Sequence, residues 1–324
     1  MVASSCSLLL CFVGGILQYG YSSAVLLNFY NPERNAADLD KLLVLKEALT
    51  ECVEMKSEPG VYKVTSTGEQ LACGIFLVGA LDAQVAIEFL EFDVDCKDDA
   101  VVGILDGWEQ NGAIFPPVED LGADGPRYLK HCGSDQPKSI FRSSGNMALV
   151  QYRLPYPGST FTIRVSYSKN PRPCNAIVVS PEGKAAISNR GLAENCSVLS
   201  IYPQRFAFEY MDIGVSPVLK NLKEIIMEPE LRSAKCSIKS IAVSEKRDYV
   251  EIRGGPSFDL THMVPFKAQC GFSLNTAKES TSIMCGTTMV RLVSSGQYYN
   301  NVLFVHELLE EDKIDPDTFI CAAL

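Results

Sequence analysis

Histidine and tryptophan are scarce in this sequence, with three of the first and one of the second among 324 residues. His131, His262 and His306 are the whole supply for acid–base or zinc chemistry, and none lies in a motif that performs it. His306-Glu307-Leu308-Leu309-Glu310 ends in Glu where a zinc-protease helix needs its second histidine. A Gly-x-Ser-x-Gly elbow, a phosphate loop and a Cys-x-x-Cys pair are all missing. The chain therefore reads as a protein without catalytic activity and without a cofactor. Basic charge is the second shortage: 29 Lys and Arg stand against 39 Asp and Glu, a formal net charge of −10. Such a surface disfavours nucleic acid and suits either a cationic peptide or protein, or solubility alone. Long apolar runs are the third. A membrane-spanning helix needs about 20 apolar residues, and nothing beyond the first two dozen positions approaches that, so no membrane partner is expected.

What the opening residues do contain is a leader. Leu8 to Leu17 is apolar apart from Gly14 and Gly15, with the small residues Ser22 and Ala24 where a signal peptidase reads, although no Lys or Arg precedes the run. Residues 1–24 are expected to be a signal peptide, leaving 324 − 24 = 300 residues in a secreted, extracellular, soluble chain. Residues 25–44 then form an N-terminal segment, partly helical. Asn35 reads as a helix cap with Asp38 in the first turn, and Leu39, Leu42, Leu45, Leu49 and Val53 recur three or four apart. A short amphipathic helix is expected to lead into Cys52, either packing on the domain that follows or facing a ligand.

Cysteine is plentiful. Of the 12, Cys6 and Cys11 belong to the leader, and the remaining ten repeat their spacing: Cys52, Cys73, Cys96 and Cys132 are 21, 23 and 36 apart, and Cys174, Cys196, Cys236 and Cys270 are 22, 40 and 34 apart. An even set behind a leader implies an oxidising compartment. Spacing alone does not fix connectivity, but the repeat favours neighbours: Cys52–Cys73, Cys96–Cys132, Cys174–Cys196, Cys236–Cys270 and Cys285–Cys321, the last tying down the C-terminal segment.

Two modules are thus expected, at 45–168 and 169–324, and most of their length reads in period two. Gly60–Thr67, Leu71–Val78, Gln84–Val94, Ala100–Leu105, Asn146–Leu154 and Ser159–Tyr167 are rich in β-branched and aromatic residues. In the second module the same style returns at Ala176–Val179, Val198–Tyr202, Phe206–Ile213, Tyr249–Arg253, Met289–Val293 and Val302–Leu308. Short strands separated by Gly, Pro, Asn and Asp argue for an all-β fold of two tandem disulfide-stapled β-sandwiches.

The sandwiches resemble CUB domains, which have a jelly-roll topology, in their short first and longer second disulfide loops. The strand-to-turn segments Val101-Val102-Gly103-Ile104-Leu105-Asp106-Gly107 and Asp248-Tyr249-Val250-Glu251-Ile252-Arg253-Gly254-Gly255 carry the likeness. A more specific set resembles the corticotropin-releasing factor-binding protein family. It comprises Phe141-Arg142-Ser143-Ser144, Pro173-Cys174-Asn175, Asn195-Cys196-Ser197 followed by Ile201-Tyr202-Pro203, Val290-Arg291-Leu292-Val293-Ser294-Ser295-Gly296, and all ten cysteines. The resemblance spans roughly residues 45–324. It implies a secreted protein that sequesters a corticotropin-releasing factor-like peptide hormone, an amphipathic helix that docks by its apolar stripe, and so limits receptor activation. It also implies ligand contact near the first cysteine, through an arginine four residues before it and an acid two residues after. Here the acid is Glu54, the arginine position is Ala48, and Lys46 is the nearest cation. Lysine lacks the bidentate fork of arginine, so a shifted preference toward a related diuretic or stress peptide is expected.

Three further features have competing readings. Asn195-Cys196-Ser197 is the one Asn-x-Ser/Thr sequon, either glycosylated or an unused surface turn. Trp108 is either an exposed anchor for a partner or a ring packed on the sandwich. Many CUB domains bind calcium through a Glu and two Asp, and Asp95, Asp98, Asp99, Asp106 and Asp248 supply acids. The loops after Val150 and Val293 lack the remaining Asp, so no metal is expected. That gap also weighs against the other function class, a structural or adhesive CUB pair that recognises a larger extracellular protein.

Overall fold

The computed structural model describes residues 46–68, 72–121, 127–215, 248–274, 280–310 and 314–321. The leader, the segment 25–44 and Cys236 lie outside the described residues. Among those described, no helix is long and apolar enough to cross a membrane.

The first sandwich is built from β1 (Lys46–Ala48), β2 (Val53–Lys56), β3 (Gly60–Thr65), β4 (Ala72–Val78), β5 (Ala83–Asp93), β6 (Val101–Leu105), β7 (Trp108–Gln110), β8 (Ala113–Phe115), β9 (Tyr128–His131), β10 (Phe141–Arg142), β11 (Met147–Arg153) and β12 (Thr160–Lys169). One sheet runs β1-β3-β12-β5-β10 and faces a second, β2-β4-β11-β6-β9, while β7 and β8 form a separate hairpin. The second sandwich contains β13 (Ala176–Val178), β14 (Glu182–Ser188), β15 (Cys196–Ser200), β16 (Gln204–Ile213), β17 (Tyr249–Gly255), β18 (Val264–Gln269), β19 (Gly271–Leu274), β20 (Ser280–Met284), β21 (Thr287–Val293), β22 (Asn301–Leu308) and β23 (Phe319–Ile320). Its sheets run β13-β15-β21-β17-β18 and β14-β22-β16-β20-β23, with β19 also on β16. Disulfides close Cys52–Cys73, Cys96–Cys132, Cys174–Cys196 and Cys285–Cys321. Cys270 is disulfide-bonded as well.

Alternation in the strands places one set of side chains in each core. In β12, Phe161, Ile163 and Val165 are buried between the sheets while Arg164 faces outward to Glu88. Strands β4, β11 and β13 read instead as largely apolar runs, because both of their faces are covered, and β15 and β21, covered on both faces too, mix apolar with buried polar residues. Ile75, Leu77, Ala148 and Val150 fill the first core, and Val198, Val290 and Leu292 fill the second. The opposite faces meet in a third cluster that joins the sandwiches: Val78, Met147, Leu149, Ile177, Leu199 and Met289, with Trp108 and Phe115 of the hairpin.

The expected helix is corrected in its second half. Lys46–Ala48 and Val53–Lys56 are strands, each paired in parallel with a neighbour, β1 on β3 and β2 on β4. The Leu49 amide donates to the Lys63 carbonyl at 2.9 Å and its side chain enters the first core. Leu49 and Val53, the end of the stripe, belong here to extended chain at a sheet edge, since tertiary pairing outweighs a modest helical preference.

Candidate functional site

Strand β2 ends a sheet and begins one residue after Cys52, whose bond to Cys73 ties it to β4. Its alternation splits its four residues into two pairs. Val53 and Met55 point to the outer face, 65% and 55% exposed, in register with Gly74 and Phe76. Phe76 meets Trp108 edge to face at 5.2 Å, and the Trp108 indole donates to the Leu77 carbonyl at 3.0 Å. Val53, Met55 and Phe76 thus form an apolar ledge that continues the joint between the sandwiches out to solvent. Strand β13, also paired in parallel beside the first disulfide of its own module, has its outward Ile177 only 1% exposed. The ledge is therefore not a necessity of the fold.

The other pair of β2 side chains is held by charge. Lys56 Nζ lies 2.7 Å from Glu54 Oε2 and 2.7 Å from Glu47 Oε1, so it bridges β2 to β1 of the facing sheet, and it stands 5.7 Å over the Tyr62 ring. Glu54 Oε1 accepts the amides of Thr50 and Glu51, each at 3.1 Å. Burial alone would push the Glu54 carboxyl up. Hydrogen bonds from Lys56, Glu51 and Thr50, together with the Lys56 charge, outweigh it and hold the group below its ordinary value. Burial likewise works against charged Lys56, and the two carboxylates raise it above the usual range. Lys46 is on β1 with its Cα paired to Val61, and Ala48 is exposed opposite Lys63. The structure gathers Glu47, Glu54 and Lys56 into one cluster.

The joint carries a buried ionic centre. Asp120 accepts two hydrogen bonds from Arg291, at 2.6 Å from Nη2 and 3.0 Å from Nε, and another from the Ser197 hydroxyl. Arg291 also donates to Glu251 at 3.2 Å, and Arg253 donates to the same carboxylate at 3.0 Å. Asn146 clasps Ile177 from across the joint, its amide nitrogen donating to the Ile177 carbonyl at 2.9 Å and its oxygen accepting the Ile177 amide at 2.8 Å. Asn195 lies at the rim, donating to the Glu119 carbonyl at 3.2 Å and accepting the Ser294 amide at 3.1 Å. The loop acids are engaged within the protein: Asp106 accepts the Ser144 amide at 2.8 Å, and Asp248 accepts the Ser295 amide at 2.8 Å and the Asn300 side chain at 2.6 Å.

Compared with known families, residues 44–169 match the corticotropin-releasing factor binding protein N-terminal domain and residues 176–315 match the C-terminal domain. The chain belongs to the corticotropin-releasing factor binding protein family. The corticotropin-releasing factor-binding protein of Mus musculus is 29% identical over 268 residues, 82% of this chain and 78% of that one. That of Homo sapiens is 28% identical over 296 residues, 87% of each, and that of Xenopus laevis 29% identical over 260, 80% and 76%. Among solved structures, the CUB1-EGF-CUB2 domain of human MASP-1/3 aligns with 77% of this chain and 99% of that one at 13% identity, and its TM-score of 0.25 is too low to carry weight.

In this member of the family, Glu54 occupies the expected acidic position and is spent on internal bonds. Sequence reasoning missed Lys56 and Met55, and it placed Val53 on a helical stripe and not on the outer face of a strand. Reading Val53-Glu54-Met55-Lys56 in period two would have found both, because alternate residues of a strand share a face.

Proposed function

We propose that this secreted protein binds a corticotropin-releasing factor-like peptide hormone, of the diuretic or stress class, and limits its receptor activation by sequestering it. The observation that carries this reading is the match of both modules, over nearly the whole length from 44 to 315, to the two domains of a family named for that ligand. The ledge of Val53, Met55 and Phe76 offers an apolar surface to the stripe of an amphipathic helix. The Glu47–Lys56–Glu54 cluster fixes β2, so Glu54 acts by positioning the ledge. Lys46, on β1 of the facing sheet, is the cation nearest in sequence to the position where the family resemblance implies an arginine and this chain has Ala48. The chain's formal charge of −10 favours a cationic peptide. A glycan on Asn195 belongs to the same secretory reading, since Nδ2 would keep one hydrogen for the Glu119 carbonyl.

Calorimetric titration tests it. The oxidised protein is expected to bind the corticotropin-releasing factor-like peptide of its own source tightly and to bind an unrelated basic amphipathic helix of matched charge weakly. Met55→Asp should lower affinity about tenfold or more, the scale of losing one apolar anchor, while leaving the melting temperature nearly unchanged. Equal, weak and salt-sensitive binding of both peptides would move the adhesive reading ahead.

A further inference from the structure

The two sandwiches are repeats, so each is a control for the other. Their sheets superimpose in register: β15 on β4, β21 on β11, β16 on β5 and β22 on β12. Both outer-sheet pairings even shift register at the same place, between Thr162 and Ile163 in one and between Phe208 and Tyr210 in the other. At one end of the first sandwich Leu77, Val85, Ala148 and Val165 line the interior, all apolar and at most 1% exposed. The equivalent positions of the second are Ser200, Gln204, Thr288 and His306, again buried, at 3%, 0%, 0% and 3% exposure.

These four lie on the inner faces at the same end of the sandwich. Ser200 pairs with Thr288 across β15 and β21. On the facing sheet Phe206 pairs with His306 and Gln204 with Leu308, so Gln204 and His306 are diagonal neighbours on the inner face. The connections β13 to β14 and β15 to β16 both cross between sheets at this end, and Tyr202 hydrogen-bonds the Ser180 carbonyl from one crossing to the other. Yet Gln204 Nε2, Gln204 Oε1, Thr288 Oγ1 and His306 Nδ1 have no protein partner, and Ser200, bonded at its side chain to Tyr202, keeps hydrogen-bonding capacity to spare. An unsatisfied buried polar atom costs about 1–3 kcal/mol, and native interiors rarely keep one. Four at one end of the sandwich, where the sister sandwich has none of these side chains, mark a place built for something polar.

The geometry points to a buried site in the second sandwich for small neutral hydrogen-bonding molecules, occupied by structural water. Buried water makes about three hydrogen bonds per molecule, so the four atoms and the capacity left on Ser200 call for about two waters. The side chains dictate the neutral class: the set holds no carboxylate for a cation, and burial lowers the His306 pKa and so disfavours a charged nitrogen for an anion.

A crystal structure of the full oxidised chain, at a resolution that places water, should show about two molecules bridging Ser200, Gln204, Thr288 and His306. Magnetic relaxation dispersion of solvent water should count long-lived molecules in the same protein. The near-isosteric Thr288→Val variant should lower that count by at least one, whereas Ala148→Ser at the equivalent first-module position should not. Direct bonding of the four side chains to one another, with no density between them and a dispersion amplitude unchanged by Thr288→Val, would overturn the assignment.

Discussion

Burial lowers the pKa of His306 and of His131, which packs edge to face on Phe89 at 5.6 Å. A histidine with a depressed folded pKa loses ground in acid, because the unfolded chain takes up the proton first, near its ordinary value of about 6.5. Stability is therefore expected to be full above that pH and to fall as pH drops through it toward the folded values. Thermal melts between about pH 7.5 and 5 read the slope, and His306→Val, which restores the residue of the sister position, should flatten it. Glu54 adds an acid-side loss of the same sign at lower pH: its lowered pKa gives stability that is complete above its unfolded value and lost as pH falls through the folded one. At the joint, Asp120 is the residue whose loss hurts most. Asp120→Ala strands a buried Arg291 and is expected to cost about 3–5 kcal/mol, measurable by denaturant unfolding. Arg291, Glu251 and Arg253 stand in segments that carry the family likeness, but their meeting with Asp120 was not legible in the sequence, since Asp120 and Arg291 are 171 positions apart.

At the scale of elements, the apolar period-two segments read from the sequence all fall on strands, from Gly60–Thr65 to Asn301–Leu308. Two of the strands that escaped have little to bury. Glu182–Ser188 has only Ala185 and Ile187 facing inward, and Val264–Gln269 has no fully buried residue. Strand β2 escaped for a different reason: its apolar residues face solvent, so its pattern runs opposite to a core strand's, and a leucine stripe upstream suggested a helix. Its anchor is the Cys52–Cys73 bond. Replacing both cysteines by serine should cost about 2–5 kcal/mol. Amide exchange in Val53–Lys56 should accelerate before the rest of the sheet does, and peptide affinity should fall with it.

For the molecule as a whole, the third apolar cluster decides how the modules behave. Neighbouring domains usually meet through modest polar surfaces and move freely. Here Met147, Leu149, Ile177, Leu199 and Met289 are each at most 1% exposed, and the contact between modules also contains a buried ion network. Calorimetry is expected to give one cooperative transition for the intact chain, and Asp120→Ala should separate it into two. The repeat itself was plain in the cysteine spacing, but the joint was not. Continuous apolar runs such as Met147-Ala148-Leu149-Val150 signal burial on both faces without saying what covers the second one.

The lone tryptophan gives this joint a voice of its own. Trp108 is 3% exposed among residues of both modules, against Phe76 and near Ile177 and Leu199. Light absorbed selectively by indole is therefore emitted from the joint and from nowhere else in the chain. Any hormone that shifts the neighbouring ledge, or any condition that parts the modules, will register as a change in emission colour without a label attached.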